Sequence, residues 1–264
     1  MDKAEGYVVV SAKTLLRDVF GFKKFRPGQR EIIDAVACGE NVLAIMPTGG
    51  GKSLCFQLPA LLNDGLTVVI SPLIALMHDQ VRGLKAVGVA AGAITSGNTE
   101  EEVNQVFSQI ISGDLKLLYL APERLVSRKI QNILSSANVT SIAVDEAHCV
   151  SQWGHDFRPD YLGIGELRRK LSVPLSAFTA TADKETQQEI MQRLFEGAAP
   201  KVFLRGFDRP NIYLSFMPKD NPRRQIMDFV HLRKGQSGII YCGTRAKTET
   251  LAQALEEAGH SSCS

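Results

Sequence analysis

Short runs of apolar, often β-branched residues alternate along the chain with longer amphipathic stretches. The apolar runs predict five buried strands, at Asn41–Met46, Thr67–Ile70, Leu115–Leu120, Ser141–Val144 and Leu175–Phe178. The amphipathic stretches predict four helices, at Leu54–Leu62, Leu73–Val87, Thr99–Ile111 and Tyr161–Lys170. The third helix has a clear start signal, because Thr99 and Glu102 have the spacing of a capping box. Since apolar strands alternate with helices, the pattern predicts an α/β fold with a parallel sheet covered by helices on both faces.

A second block of alternating elements begins near Phe207. It contains two predicted strands, at Tyr213–Phe216 and Gly238–Tyr241, and two predicted helices, at Arg223–Leu232 and Thr248–Ala258. We therefore expect a first domain over residues 1–206 and the N-terminal part of a second domain over residues 207–264.

Composition narrows the possible classes of protein. A chain of 264 residues with 44% hydrophobic content is large enough for one domain and part of another. The net charge of +2 is too small to steer nucleic acid, so such a partner has to be argued from local sites. The five cysteines are scattered and form no C-x-x-C pair, which disfavours a zinc ribbon or disulfide framework and fits a reducing cytosol. With no signal-peptide core and no apolar run of bilayer length, we expect a cytoplasmic protein without membrane contact.

A glycine-rich segment, Met46–Ser53, lies between a predicted strand and a predicted helix. It matches the phosphate-binding loop except at its first position, where Met46 replaces glycine. Lys52 is predicted to neutralise the terminal phosphates and the Ser53 hydroxyl to bind magnesium. Four further residues are predicted to face the phosphates: Thr48, Gly49, Gly50 and Gly51. The alternative is a plain glycine-rich turn before a helix.

An acidic pair follows the strand predicted at Ser141–Val144. Ligands of parallel sheets bind at the carboxyl ends of the strands, so Asp145 is predicted to hold magnesium through water. Glu146 is predicted to orient and polarise the attacking water. His148 either couples the nucleotide state to other motifs or caps a helix. The alternative for the pair, an acidic loop at a helix start, is disfavoured by the phosphate loop upstream.

The phosphate loop and the Asp-Glu-Ala-His box resemble motifs of superfamily-two helicases, and further segments resemble the RecQ family. Residues 20–29, F-G-F-K-K-F-R-P-G-Q, resemble the adenine-recognition motif of that family. The resemblance implies that Gln29 pairs with adenine, that Phe22 stacks on the base and that Arg26 adds a charged contact. The alternative is a loop that packs its phenylalanines against the core, with Gln29 at an exposed helix start.

The segment Ser151–Tyr161 follows the acidic box directly and contains the single tryptophan. It resembles the aromatic-rich loop by which RecQ enzymes sense single-stranded DNA and couple it to ATP hydrolysis. Trp153 and Phe157 offer stacking faces and Arg158 offers a planar cation, while His155 is expected to share in DNA binding or coupling. The alternative is a tryptophan buried in the core.

Four other segments match the family in order and spacing. Ser71–Met77 and Ala121–Leu125 resemble loops that touch the DNA backbone, and Phe178–Ala182 resembles the motif that links hydrolysis to domain movement. Ser237–Arg245 resembles the first motif of the second core domain, with Gly243–Thr244 where the family more often has Asn-Ser.

The resemblance implies a RecA-like domain followed by an incomplete second RecA-like domain, with ATP and Mg²⁺ as cofactors. It implies a 3′-5′ DNA helicase of recombination and repair that acts on single-stranded DNA and duplex junctions. The chain contains no Gly-Arg dipeptide, so the arginine-finger motif of the family is missing. We therefore expect a truncated chain that does not unwind DNA by itself. Two alternatives stay open: a non-catalytic remnant that binds nucleotide or DNA, and an RNA helicase of the same superfamily.

Overall fold

Seven parallel strands form one sheet in the structure, a computed structural model that describes residues 11–152, 156–206 and 212–264. The strands lie in the order β3-β4-β2-β5-β6-β1-β7. Their bounds are β1 Val42–Ile45, β2 Leu66–Ile70, β3 Ala91–Ile94, β4 Leu117–Leu120, β5 Val139–Val144, β6 Leu175–Thr179 and β7 Lys201–Leu204. Because all pairs are parallel, the carboxyl ends of the strands meet at one edge of the sheet.

Eight helices belong to the described part of the unit that contains this sheet. Their bounds are α1 Ala12–Asp18, α2 Gln29–Ala37, α3 Leu54–Leu62, α4 Ile74–Ala86, α5 Glu100–Ser112, α6 Arg128–Ser136, α7 Gly163–Leu171 and α8 Lys184–Phe195. Short 3₁₀ turns occupy Pro122–Arg124, Ala147–Val150 and Pro159–Leu162. Within the described ranges, no helix has both the length and the apolar character needed to cross a bilayer.

Alternate residues of each central strand enter two separate buried clusters. In β1, Leu43 and Ile45 belong to one cluster and Val42 and Ala44 to the other. Helices α5 to α8 supply the first cluster, and α1 to α4 supply the second. Each face of the sheet is therefore covered by its own set of helices, which confirms the predicted α/β fold. Burial on both faces also explains why these strands are almost continuously apolar.

The five predicted strands and four predicted helices of the first block all form, with ends within two residues of the prediction. The Thr99–Glu102 capping box is present in both directions. Strand β3 was not predicted, because its sequence, A-G-A-I, consists largely of small residues with little strand propensity. Edge strand β7 also escaped prediction, since it is short and mostly exposed.

The chain divides into two compact units, residues 1–208 and 209–264. The described part of the second unit contains two helices, α9 (Pro222–His231) and α10 (Arg245–Glu257), close to their predicted positions. The strands predicted at Tyr213–Phe216 and Gly238–Tyr241 were wrong, because neither segment pairs with another strand. Tyr241 is 92% exposed. A strand exists only through its ladder of hydrogen bonds, so an apolar run without a partner stays irregular.

Candidate nucleotide-binding site

The phosphate loop leaves the carboxyl end of β1 and enters α3, as predicted. Gly49 and Gly51 have φ angles of 78° and 83°, in the region that favours glycine. A Cβ atom on Gly51 would lie 2.3 Å from Nε2 of Gln29, and one on Gly50 would lie 2.9 Å from the carbonyl oxygen of Pro47. A side chain on Gly50 would therefore collide with the backbone, and one on Gly51 would have to displace the Gln29 amide. Such a turn before a helix start can present backbone N–H groups to a phosphate.

The acidic pair follows β5 at the same edge of the sheet. Asp145 is only 8% exposed, and its N–H group donates to the carbonyl oxygen of Ile70 at 2.8 Å. Burial and, after it, the neighbouring charge of Glu146 together raise the pKa of Asp145 to about 6, whereas the charge of Lys52 opposes the shift. This dependence on Lys52 shows that the phosphate loop and the acidic pair meet in one electrostatic environment.

Glu146 has the character of an ionised hydrogen-bond acceptor. A hydrogen bond with His148 is the main cause that lowers the pKa of Glu146, and the charge of Lys52 adds to it. The residue adopts φ 46° and ψ 49°, a left-handed conformation that costs a side-chain-bearing residue roughly 1–3 kcal/mol. Such conformations cluster at functional sites, where the surrounding structure holds them in place.

His148 joins the acidic pair to the end of the neighbouring strand. Its Nδ1 atom lies 3.3 Å from Oε2 of Glu146 and 2.9 Å from Oγ1 of Thr179, the last residue of β6. Thr179 belongs to the segment Phe178–Ala182. His148 lies inside the turn Ala147–Val150, whose cap position is Glu146, so these contacts favour the coupling role over the helix cap.

Two of the three predicted adenine-binding residues pack against the phosphate loop. The Gln29 side chain is 3% exposed; its Oε1 accepts from the Arg26 N–H at 2.7 Å and its Nε2 donates to the Gly51 carbonyl at 3.1 Å. The Arg26 guanidinium donates to the Gly49 carbonyl. Phe22 is 53% exposed and lines an open concavity formed by residues 22–27. Adenine recognition by these residues stays a prediction, which requires the Gln29 amide to exchange partners.

Replacing Gln29 by alanine tests this prediction. We expect the variant to lose discrimination between ATP and GTP by about 10-fold or more, since a bidentate amide contact is worth about 1–3 kcal/mol against the wrong base. The measurement compares the competition of ATP and GTP for a fluorescent nucleotide, with exposed Gln188→Ala as the matched control. Equal loss of affinity for ATP and GTP would instead assign Gln29 to support of the phosphate loop.

Both described ends of the aromatic-rich segment form hydrogen bonds with other parts of the first unit. On one side, Oε2 of Glu189 in α8 accepts from the Ser151 hydroxyl at 2.5 Å and from the Gln152 N–H at 2.8 Å. On the other, Nη1 of Arg158 donates to the carbonyl oxygen of Pro72 at 2.9 Å. Phe157 is half-buried. Trp153 and His155, which were predicted to bind DNA or couple it to hydrolysis, lie outside the described residues.

Three residues near the site were not found from the sequence. Glu189 anchors the start of the aromatic-rich segment, and Gln57 and Gln80 form hydrogen bonds behind the phosphate loop. Gln57 carried a usable signal, because it is a polar residue in the otherwise apolar helix α3. Gln80 and Glu189 stand on amphipathic helices where a polar residue is ordinary.

The raised pKa of Asp145 predicts a pH-dependent stability. In an unfolded chain the carboxyl group has its ordinary pKa of 3.8, and in the folded protein about 6, so its ionisation disfavours folding. Asp145→Asn is therefore expected to stabilise the magnesium-free protein above pH 6, on the order of 2–3 kcal/mol from a shift of about two units. This gain in the free energy of unfolding should decrease as the pH falls from 6 and should vanish below pH 4. Thermal melting across this range checks it, and a gain that is constant with pH would contradict the assignment.

A parallel sheet with a phosphate loop and a carboxylate pair at its carboxyl edge defines a nucleotide-binding domain of the P-loop class. The family model for DEAD/DEAH box helicases matches residues 26–190, and the chain belongs to this family.

The curated relatives identify the branch of this family that the chain resembles. It is 48% identical over 250 residues to the ATP-dependent DNA helicase RecQ of Haemophilus influenzae, covering 94% of this chain and 40% of the relative. The RecQ helicase of Pasteurella multocida is 47% identical, with 94% and 39% covered. These similarities confirm the RecQ resemblance. The chain spans about 40% of the length of these relatives.

Solved structures share the fold. The DUF1998 helicase MrfA, in its crystal structure bound to DNA and AMPPNP, superposes with a TM-score of 0.73 at 16% identity. The match covers 93% of this chain and 37% of MrfA.

Proposed function

We propose that this chain supplies the ATP-binding and ATP-hydrolysing part of a RecQ-type DNA helicase. The supporting observation is the shared electrostatic environment of Lys52, Asp145 and Glu146 at the carboxyl edge of the sheet. We include in this proposal 3′-5′ movement along single-stranded DNA, action at duplex junctions and a role in recombination and repair. These finer properties follow the RecQ relatives.

The residues at the edge of the sheet fit ATP with Mg²⁺. The glycines leave a cradle that side chains would fill, and the Ser53 hydroxyl and the Asp145 carboxylate are the hard oxygen donors that Mg²⁺ prefers. Ser53 and Asp145 would hold the ion, which neutralises charge on the terminal phosphates when bound. Ionisation of Asp145 is required for this, so magnesium binding should weaken below pH 6.

The remaining steps belong to Lys52 and Glu146. Lys52 binds the terminal phosphates and compensates the charge that develops on them. Glu146 accepts a hydrogen bond from the attacking water and orients it, and its lowered pKa keeps the carboxylate ionised at neutral pH. The contact of His148 with Glu146 and with Thr179 connects this carboxylate to the segment Phe178–Ala182.

The proposed DNA contacts lie in the aromatic-rich segment and the loops after β2 and β4. Arg158 and the Pro72 carbonyl form a direct hydrogen bond between two of these segments. Aromatic and guanidinium faces bind single-stranded bases through stacking, without reading their sequence. Movement of one segment on DNA binding therefore acts on the other.

Comparison of nucleic acids as activators tests the proposal. ATP hydrolysis by the whole chain is measured alone, with single-stranded DNA and with single-stranded RNA of equal length, beside Lys52→Ala. We expect stimulation by DNA that is lost in the variant. Preferential stimulation by RNA would favour an RNA helicase, and nucleotide binding without turnover would favour a non-catalytic remnant.

A further inference from the structure

A chain of hydrogen-bonded side chains runs from the phosphate loop into the core of the first unit. Nε2 of Gln80 lies 3.1 Å from Oγ of Ser53, and Oε1 of Gln80 accepts from Nε2 of Gln57 at 2.5 Å. The same Nε2 of Gln57 lies 2.9 Å from the hydroxyl of Tyr119 in β4. Gln57 and Tyr119 are buried within the apolar cluster that contains α3. Buried polar groups are costly unless they are hydrogen-bonded, so these bonds constrain the Gln57 and Tyr119 side chains, and Gln57 in turn holds the half-buried Gln80.

The structure places the Gln57 amide with its nitrogen towards Gln80 and Tyr119, and this placement determines which end of the Gln80 amide faces Ser53. The Gln57 amide nitrogen has two protons and no acceptor capacity, and it directs them at Oε1 of Gln80 and at the Tyr119 hydroxyl. With Gln57 in this orientation, the oxygen of Gln80 faces Gln57 and its NH₂ group faces Ser53. Gln80 is thus a donor to the Ser53 hydroxyl oxygen.

This donation restricts the orientation of the Ser53 hydroxyl. A serine oxygen has one proton and two lone pairs, and Gln80 occupies one lone pair. Ser53 stands at the start of α3 without a side-chain capping bond, so the helix itself does not hold the oxygen. The Gln80 amide supplies that constraint and leaves the second lone pair for a metal ion. Partners of this kind orient metal ligands, and their loss typically costs about 10–100-fold in metal affinity.

The position of Gln80 connects the phosphate loop with the loop after β2. Gln80 lies on α4, whose first turn belongs to the segment Ser71–Met77. That segment also receives the hydrogen bond from Arg158 at Pro72. A shift of α4 along its axis would therefore move the Gln80 amide relative to Ser53.

We propose that Gln80 is a positioning residue that orients the Ser53 hydroxyl for magnesium and links the segment Ser71–Met77 to the phosphate loop. This inference rests on the proposed function, because the magnesium ion concerned is the one that accompanies ATP.

The test measures how the binding of a fluorescent ATP analogue to the whole chain depends on Mg²⁺ concentration. Gln80→Met keeps the volume of the side chain and removes the donor. We expect its half-saturating Mg²⁺ concentration to rise by about 10–100-fold. Affinity for the analogue in EDTA should stay at the wild-type level. If Gln80 only supported the fold, its replacement would also weaken binding in EDTA.

Two further variants serve as controls for this measurement. Asp79→Asn changes the preceding, exposed residue of α4, which pairs only with Arg82 at 2.6 Å among the contacts described, and should leave the Mg²⁺ dependence unchanged. Gln57→Met with Gln80→Met removes both amides together, which avoids an unpaired donor at Gln57, and should give the same shift as Gln80→Met.

The outcomes separate this inference from the proposed function. In a Ser53→Ala background, Gln80→Met should add no further change, since the two residues act through one contact. If Ser53→Ala raises the Mg²⁺ requirement and neither Gln80 variant does, the role of Gln80 is refuted while the proposed function stands. Equal weakening with Mg²⁺ and in EDTA also refutes it. If the wild-type chain does not bind the analogue, the proposed function itself fails.

Discussion

Replacement of Lys52 by alanine is expected to weaken the binding of ATP with Mg²⁺ by roughly 30-fold or more. The charge of Lys52 acts on Asp145 and on Glu146, so it lies where phosphates and magnesium would meet. Removing the lysine from a charged pair with a bound phosphate should cost about 2–5 kcal/mol, the range for charged pairs that are shielded from water. A difference of about 1.4 kcal/mol corresponds to a tenfold change in affinity. Competition with a fluorescent ATP analogue gives the dissociation constants.

Lys85→Ala is the matched control for this variant. Lys85 is an exposed lysine on α4, in the same unit, and its removal changes the net charge by the same amount. We expect its affinity for ATP to equal that of the wild type. If Lys52→Ala and Lys85→Ala bind ATP equally well, the phosphate loop does not bind phosphate through this lysine.

Glu146→Gln is expected to separate binding from chemistry. Glutamine keeps the size of the side chain but is a poor acceptor for the proton of the attacking water. The DNA-stimulated turnover of ATP should fall by about 10²–10⁴-fold, the usual contribution of general acid–base catalysis. Affinity for ATP should stay close to the wild-type value, or increase, because one negative charge near the phosphates is removed. Turnover is followed as phosphate release at saturating ATP.

The exposed carboxylate of Glu166 on α7 offers a control for this second variant. Glu166→Gln should hydrolyse ATP at the wild-type rate. Wild-type turnover by Glu146→Gln would show that another group orients the water. Loss of ATP binding in Glu146→Gln would instead show that this residue holds the loop in its binding conformation.

The central strands of the fold could be predicted because both faces of the sheet are buried. Val42 enters one apolar cluster and the next residue, Leu43, enters the other, so the sequence shows uninterrupted apolar runs. The lack of strand pairing in the described part of the second unit could not be predicted in the same way. Tyr213–Phe216 has strand-like composition, but composition does not supply a partner strand.

The residues proposed to bind ATP and magnesium could be predicted where they lie close together in the sequence. The phosphate loop and the acidic pair each lie within a few residues after one strand, so their spacing carries the signal. Gln80 and Glu189 act on residues 27 and 38 positions away, respectively, and only the folded chain brings these pairs together. Gln29 lies between these two cases. Its place in the nucleotide site could be predicted from the sequence, but its hydrogen bond to a carbonyl group of the phosphate loop could not.

Residues of the first unit are proposed to form one site for ATP with magnesium. A calorimetric titration of the wild-type chain with ATP, in the presence of Mg²⁺ and again in EDTA, tests this site. We expect one ATP per chain, tight binding with Mg²⁺, weaker binding in EDTA, and loss of that difference in Ser53→Ala. Absence of binding, or binding that is equally strong without Mg²⁺, would rule out such a site.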